Sequence, residues 1–246
     1  FTSFLFPPYF LIPIGFISFP YMFYLFNNKQ YLLLNRSSHF LSGFVYGLGF
    51  FYIYLGWIKE PFLLDDLTKS YSIFSYLLII YCSLYFGFIF LILKYFKKIL
   101  IKLFMFPVLI IIGEFICANL SYGFPWFSFS LIHSVNIFGT SIIFYFGTYG
   151  LSYITVLIFL LPSIFLFKDV KLQKYLVIFY FIFLSLLLCF TISRFKKIDE
   201  FDNVNFSISL VQLNSSMNQQ LSNDKKKIKY DYILETIKNN NSDILI

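Results

Sequence analysis

The chain has 246 residues, of which 59% are hydrophobic and only 13% are charged. Soluble domains carry about 25% charged residues, so this composition excludes an ordinary water-soluble protein and indicates a chain solvated mainly by lipid. The net charge of +7 does not indicate nucleic-acid binding, because the lysines lie between apolar stretches, where they reflect membrane topology.

Long apolar stretches without charge recur through most of the chain. A helix needs about 20 apolar residues to cross a hydrocarbon core about 30 Å thick. We therefore predict about six membrane-spanning helices, the fifth of them long enough to include some interfacial chain. They lie near residues 9–26, 40–57, 71–94, 100–119, 137–167 and 175–193. Because the first residue is Phe1 and the last three are apolar, we expect a fragment of a longer protein.

The loops between these spans differ in charge. One set of alternating loops carries nine basic residues: Lys29, Arg36, Lys94, Lys97, Lys98, Lys102, Lys168, Lys171 and Lys174. The opposite loops carry only Lys59 and Lys69, accompanied by acidic residues. Cytoplasmic loops are enriched in lysine and arginine, so the first set is predicted to be cytoplasmic and the chain after residue 193 to lie outside.

The pattern changes after residue 200. Residues 204–210 alternate between apolar and polar, which is typical of a strand. Tyr230, Ile233, Leu234 and Ile237 fall on one face of a helix, and residues 243–246 begin a second strand. Strand, helix and strand begin a layered α/β domain. We therefore predict a helical membrane bundle over residues 1–197 and the start of an extracytoplasmic α/β domain over residues 198–246.

Three motifs in the second half of the bundle are the most specific part of the sequence: Gly113-Glu114-Phe115, Tyr122-Gly123-Phe124-Pro125-Trp126 and Gly147-Thr148-Tyr149-Gly150-Leu151-Ser152. Together with a bundle that leads into a Ser-Leu-Val-Gln strand, they resemble bacterial apolipoprotein N-acyltransferase, a membrane bundle fused to a nitrilase-like (carbon–nitrogen hydrolase) domain. The resemblance covers essentially the whole chain. Further matches are Pro7-Pro8-Tyr9, Trp57, Ser209-Leu210-Val211-Gln212 and Asp243-Ile244-Leu245-Ile246.

The resemblance implies an enzyme of lipoprotein maturation in the bacterial inner membrane. A cysteine of the soluble domain would take an acyl chain from a phospholipid as a thioester. The chain would then pass to the N-terminal amine of a diacylglyceryl-cysteine apolipoprotein. The family's catalytic glutamate, lysine and cysteine would lie after Ile246, so we expect residues 1–246 alone to be inactive. We expect no cofactor, no metal, no nucleic-acid partner and a monomeric protein.

Glu114 and the Gly123-Phe124-Pro125-Trp126 motif are the candidate substrate-binding residues. A carboxylic acid inside the membrane is costly and suggests function, although Glu114 could equally hold the bundle together through hydrogen bonds. The family usually has an arginine three positions after this acid, where the chain has Cys117. The motif could likewise be a helix end with an interfacial tryptophan, or a rim that shapes the lipid entrance.

Several other residues favour structural interpretations. His133 is interpreted as an interfacial polar residue, and Gly147, Gly150 and Ser152 as small residues that permit close helix packing. The three cysteines lie in apolar stretches, which favours buried hydrophobes over a nucleophile or a metal site. Leu221 stands where the family often has a tryptophan.

Two alternative functions stay open at this point. The first is a transporter-type bundle with an accessory outer domain, although one acid within six spans lacks the paired polar groups that transporters usually place at mid-membrane. The second is a membrane-anchored nitrilase-type amidase that acts on a small amide.

Overall fold

The computed structural model describes residues 1–120, 127–198, 207–209, 223–238 and 244–245. The chain divides into two compact units, the first made of Phe1–Lys59 and Ile73–Asp199 and the second of Glu60–Ser72 and Glu200–Ile246. Seven α-helices form the first unit within the described residues. They are α1 (Gly15–Asn27), α2 (Lys29–Leu32), α3 (Arg36–Tyr54), α4 (Ile73–Leu93), α5 (Ile99–Leu120), α6 (Ile137–Phe159) and α7 (Val170–Ile198).

Four helices in the described residues are long and apolar enough to cross a membrane: Lys69–Leu93, Ile99–Asn119, Ile137–Phe159 and Val170–Arg194. A fifth is counted if α3 and the 3-10 helix Gly56–Leu63, bent by 46° between them, form one broken span. The prediction of multiple spanning helices is therefore confirmed, but the expected number of about six is reduced to four or five.

The first predicted span, near residues 9–26, is the one that falls short. It is an apolar helix of only Ile12–Asn27, preceded by 3-10 turns. The start of the predicted span is not regular helix, because Phe10 has a φ of 48°, outside the right-handed helical region, and Pro13 has no N–H to donate. At about 1.5 Å per residue, the helix is shorter than the hydrocarbon core.

The fifth predicted span, 137–167, is also shorter in the structure. Helix α6 ends at Phe159, and Leu161–Leu166 continues as a 3-10 helix with proline in its first turn. The over-long apolar stretch is thus a helix followed by a tighter turn. Helix α6 is itself broken at Gly147, whose φ of 68° and ψ of 179° lie outside the helical region.

Helices α3 and α4 make the most extensive helix pair of the described bundle. Glycines allow this approach: a Cβ atom on Gly43 would lie 2.3 Å from the carbonyl oxygen of Phe86, and one on Gly47 would lie 2.9 Å from Cα of Ser83. Small residues permit close backbone contact between helices in a membrane, where lipid offers no hydrophobic driving force.

The core of the bundle is built from phenylalanine. Phe129 is fully buried at its centre, with its ring centroid 5.3 Å from that of Phe6 and 5.4 Å from that of Phe19. Phe50 lies 6.3 Å away in a stacked orientation. Aromatic pairs at such distances add to the stabilisation that their buried area provides.

The second unit contains two described strands and one helix. Strand β1 (Ile208–Ser209) pairs in parallel with β2 (Ile244–Leu245), with Ile208 opposite Ile244. Helix α8 (Asn223–Lys238) lies between them in sequence. The predicted apolar face of α8 is largely exposed, since Tyr230, Leu234 and Ile237 show 61%, 38% and 46% of their surface.

Candidate functional site

The candidate site is a buried polar network around Glu114, near the C-terminal end of α5. The Glu114 side chain is only 2% exposed. Its Oε1 accepts a hydrogen bond of 2.7 Å from the backbone N–H of Phe129, and its Oε2 accepts one of 3.1 Å from the Ser128 hydroxyl. Both carboxyl oxygens therefore bind the segment that enters the core between α5 and α6.

Ser128 connects Glu114 to α6. Its Oγ lies 3.0 Å from Oγ of Ser152 and 2.8 Å from Oγ of Ser130. Because the single proton of Ser128 is directed to Glu114, the Ser152 and Ser130 hydroxyls must be the donors in these two contacts. The Ser130 and Ser152 protons thus point to Ser128 and the Ser128 proton points to Glu114, where this chain of hydrogen bonds ends.

Ser152 completes the network from α6. Its Oγ accepts a hydrogen bond of 3.0 Å from the backbone N–H of Ser130 while donating to Ser128. Ser152 is fully buried, and Ser128 and Ser130 are 7% and 3% exposed. Every polar side-chain atom of the network has a partner, which meets the requirement for burying polar groups in an apolar bundle.

The network lacks a positively charged partner among the described residues, so the acid is held by hydrogen bonds rather than by an ion pair. Cys117, at the position where an arginine was expected from the resemblance, is fully buried instead and lies with its Sγ 3.7 Å from Sγ of Cys82 on α4. Buried thiols of this kind behave as small hydrophobes, as the sequence indicated. The prediction of a buried thiol is wrong for Cys189, which is exposed on α7.

The Gly123-Phe124-Pro125-Trp126 motif lies outside the described residues, so the second part of the predicted site has no structural account. The chain resumes at Phe127, which is 2% exposed, directly before Ser128. Glu114 therefore holds the residues that immediately follow the motif. Within the described part of the chain, the sequence-predicted residues brought together are Glu114 and Ser152.

His133 ends the 3-10 helix Phe129–His133, and its Nδ1 lies 3.1 Å from Nδ2 of Asn136. Burial lowers the pKa of the His133 imidazole below its usual value, because the cation loses solvation. A neutral ring with a hydrogen-bond partner agrees with the interpretation of His133 as an interfacial polar residue.

The residues that sequence reasoning missed are Ser128 and Ser130. They alternate with phenylalanines in the stretch Phe127-Ser128-Phe129-Ser130, between two apolar spans. Two serines at that spacing, in the segment that follows the helix with the intramembrane acid, could have indicated hydrogen-bond partners for Glu114. Ser152 was predicted as a small packing residue, and the structure adds its hydrogen bonds to that role.

Comparison with known proteins gives one match. The family model described as the apolipoprotein N-acyltransferase N-terminal domain matches residues 1–161, about two thirds of the chain. Neither a curated protein nor a solved structure matches the chain. The matched region includes every residue of the Glu114 network, the Gly123-Phe124-Pro125-Trp126 motif and the break in α6. The chain therefore belongs to the apolipoprotein N-acyltransferase family, through its N-terminal membrane domain.

Proposed function

We propose that the whole protein is an apolipoprotein N-acyltransferase of the bacterial inner membrane. It moves an acyl chain from a phospholipid to the free α-amine of the diacylglyceryl-modified cysteine of a lipoprotein. The observation that carries this proposal is the family match over residues 1–161. The membrane-spanning helices support it, because both substrates are lipids that reach an enzyme most directly from the bilayer.

The proposed reaction has two acyl-transfer steps. A cysteine thiolate attacks the phospholipid ester carbonyl, the carbon–oxygen bond breaks, and the lysophospholipid leaves as an alcohol after taking up a proton. The lipoprotein amine then attacks the thioester, forming an amide, losing a proton and regenerating the thiol. Such covalent catalysis replaces one difficult transfer by two easier ones.

None of the three cysteines in the chain is proposed as the nucleophile. A reactive thiolate needs a polar, partly exposed setting with positive charge nearby. Cys82 and Cys117 are buried in the bundle, and Cys189 lies on a face of α7 that is surrounded by apolar residues. We assign the chemistry to a soluble domain that begins near residue 198.

The chain after residue 198 is proposed to begin a nitrilase-like domain. Supporting this, β1 and β2 pair in parallel with α8 between them in sequence. Parallel neighbours require a crossover, which is most often a helix, so the order strand, helix, strand suits an α/β layer domain.

The Glu114 network is proposed to position the substrate-entry motif. Gly123-Phe124-Pro125-Trp126 precedes the anchored residues directly, so hydrogen bonds at Ser128 and Phe129 fix one end of the motif. In this proposal the motif itself contacts lipid, whereas Glu114 acts through the segment it holds.

The activity is tested with the full-length protein in phospholipid vesicles and a peptide that begins with diacylglyceryl-cysteine. We expect the peptide to gain the mass of one acyl chain while an equal amount of lysophospholipid appears. Hydrolysis of small amides without acyl transfer would replace this proposal by the amidase alternative. Residues 1–246 alone are expected to transfer nothing.

The proposed orientation is tested by labelling single cysteines with a membrane-impermeant thiol reagent. Lys97→Cys, in a lysine-rich loop, is expected to react only after the membrane is permeabilised. Leu67→Cys and Asp231→Cys are expected to react from the outer side; all three positions are exposed. Reaction of Lys97→Cys and Asp231→Cys from the same side would contradict the topology and, with it, the acyltransferase assignment.

A further inference from the structure

A long apolar groove runs along one face of α1. Its cavity has a volume of about 750 Å³, within the range of about 300–1,000 Å³ that is typical of ligand sites. The residues of α1 and of the turn just before it that line the groove are Ile14, Ile17, Ser18, Tyr21, Met22 and Leu25.

These positions are spaced by three or four residues, so they form a single stripe along the helix. From Ile14 to Leu25 the stripe is about 16 Å long at 1.5 Å per residue. One leaflet of a bilayer has a hydrocarbon depth of about 15 Å, half of the whole core. The groove therefore matches the length of an acyl chain in one leaflet, and Ile17 and Tyr21 are 71% and 61% exposed along it.

One end of the groove adjoins a cluster of basic side chains. Tyr31 and Ser42 line the groove there, and the Tyr31 hydroxyl lies 2.6 Å from the Ser42 hydroxyl. The Tyr31 ring packs edge-on against the imidazole of His39, with ring centroids 4.4 Å apart. The charges of Lys94 and Lys102 both act on this imidazole.

Among the residues that the structure describes, no acidic side chain pairs with the basic cluster. Lys102 is 1% exposed, and its ammonium donates to the carbonyl oxygen of Phe26, the residue after Leu25 of the groove. Lys94 donates to the carbonyl oxygen of Leu34. Each ammonium has three N–H donors, and in the described part of the chain neither lysine has a carboxylate partner.

His39, beside the two lysines, also lacks hydrogen-bond partners for its side chain in the described part of the chain. Its side chain is 1% exposed, and neither ring nitrogen has a hydrogen-bond partner within the described residues. The Tyr31 backbone also lies near the ring but does not reach hydrogen-bonding geometry. The two ammonium groups create a positive potential that an anion at the end of the groove would neutralise.

We propose that this groove binds an anionic phospholipid, with an acyl chain along α1 and the headgroup phosphate against Lys94. Lys94 is partly exposed and can contact the phosphate directly, whereas the charge of the buried Lys102 strengthens the field behind it. A lipid of net negative charge is favoured over a zwitterionic one because the cluster contains no acid to receive an ammonium headgroup. The site is independent of the proposed acyltransferase activity.

The experiment uses the full-length protein in neutral lipid nanodiscs with photoreactive lipids. Phosphatidylglycerol and phosphatidylcholine probes carry the same diazirine-labelled acyl chain, and peptide mass spectrometry locates the label. We expect the phosphatidylglycerol probe to label residues 12–27 preferentially. Equal labelling by both probes would overturn the proposal, as would an unlabelled α1, the result expected if a protein segment covers this face.

Lysine variants distinguish a specific binding site from non-specific attraction between lysines and anionic lipid. Lys94→Gln and Lys94→Gln/Lys102→Gln are compared with Lys97→Gln/Lys98→Gln, which removes two charges from exposed lysines of the adjacent loop. Labelling is expected to fall about fivefold for each lysine removed from the cluster and to stay near the wild-type level in the control.

The single Lys94→Gln variant keeps this test decisive if the buried Lys102 proves necessary for folding. Wild-type labelling in Lys94→Gln, or an equal loss in Lys97→Gln/Lys98→Gln, would exclude a specific site. Because labelling is read from α1 and not from acyl transfer, its outcome is distinct from that of the proposed function.

Discussion

Glu114 on α5 accepts a hydrogen bond of 2.7 Å from the backbone N–H of Phe129, and the Phe129 ring fills the centre of the aromatic core. One residue is thus held by a polar contact at its backbone and by apolar contacts at its side chain. Because its ring packs against Phe6 and Phe19, a shift of Phe129 would disturb the packing of α1 as well. The Glu114 hydrogen bond therefore also affects the packing of α1, which Glu114 reaches only through Phe129.

Replacing Glu114 distinguishes hydrogen bonding from charge. In Glu114→Gln, the amide oxygen still accepts from Phe129, and the amide nitrogen can donate to Ser128 once the Ser128 hydroxyl turns to donate to Ser130 or Ser152. In Glu114→Ala, the buried N–H of Phe129 loses its partner, which costs about 1–3 kcal/mol. We expect thermal unfolding of the full-length protein in detergent to show a clear loss of stability for Glu114→Ala and a small one for Glu114→Gln.

The rates of acyl transfer should rank the two variants in the same order as their stabilities if the role of Glu114 is to hold the segment at Ser128 and Phe129 in place. Glu114→Gln is expected to retain most of the wild-type rate, and Glu114→Ala to lose much of it. A Glu114→Gln variant that is stable but inactive would contradict this view, because it would mean that the ionisable proton or the charge takes part in the reaction.

Ser152 and Ser163 provide a matched pair of buried serines. Ser152→Ala leaves the backbone N–H of Ser130 without its acceptor and removes one donor to Ser128, so we expect a loss of about 1–3 kcal/mol. Ser163 is equally buried, but its Oγ has no hydrogen-bond partner among the described residues. Removing an unsatisfied hydroxyl relieves its desolvation cost, so Ser163→Ala is expected to be neutral or slightly stabilising.

Thermal unfolding of the two variants under identical conditions checks this contrast. Equal destabilisation by both substitutions would show that lost packing volume, and not the network, determines the effect at Ser152.

The helices could be predicted because they depend on local composition. Apolar runs near residues 71–94, 100–119 and 175–193 have no alternative to a helix in lipid, where every backbone N–H and C=O must be paired within the segment. Glu114 could be singled out by the same reasoning, since an acid within such a run is rare. These features need no knowledge of what lies beside each helix.

The partners of Glu114 could not be derived in this way. Along the chain, Ser128 lies 14 residues from Glu114 and 24 residues from Ser152, and the three meet only because of how α5 and α6 pack. The break at Gly147 was also invisible, because its apolar surroundings predict a continuous helix. The late start of the first helix was invisible for the same reason, because apolar composition alone does not indicate the positive φ of Phe10.

Gly43 sets the distance between α3 and α4. An added Cβ would lie 2.3 Å from the carbonyl oxygen of Phe86 and 2.7 Å from the Phe90 ring, so the two helices must separate in Gly43→Ala. Overpacking of this kind costs about 1–3 kcal/mol. The control is Gly49→Ala on the same helix, where a Cβ meets nothing within 4 Å.

We expect Gly43→Ala to lower the unfolding temperature and Gly49→Ala to leave it unchanged or raise it slightly, because alanine favours a helix over glycine. A stable Gly43→Ala variant would show that α3 and α4 are not packed as closely as the structure has them.

The last prediction concerns the break in α6. Gly147 has a φ of 68° and a ψ of 179°, a region that is essentially restricted to glycine, and a Cβ there would meet nothing within 4 Å. Gly147→Ala is therefore expected to be destabilising through backbone strain alone, by about 1–3 kcal/mol. Gly56→Ala is the control, because a Cβ at Gly56 also meets nothing within 4 Å and its φ is ordinary.

Relief of this strain would straighten α6 and shift Ser152, which lies five residues further along the helix, relative to Ser128. We therefore expect Gly147→Ala to reduce acyl transfer as well as thermal stability, while Gly56→Ala affects neither strongly. If Gly147→Ala is as stable and active as wild type, the break is not needed to bring Ser152 to Glu114, and α6 can supply the same contacts as a continuous helix.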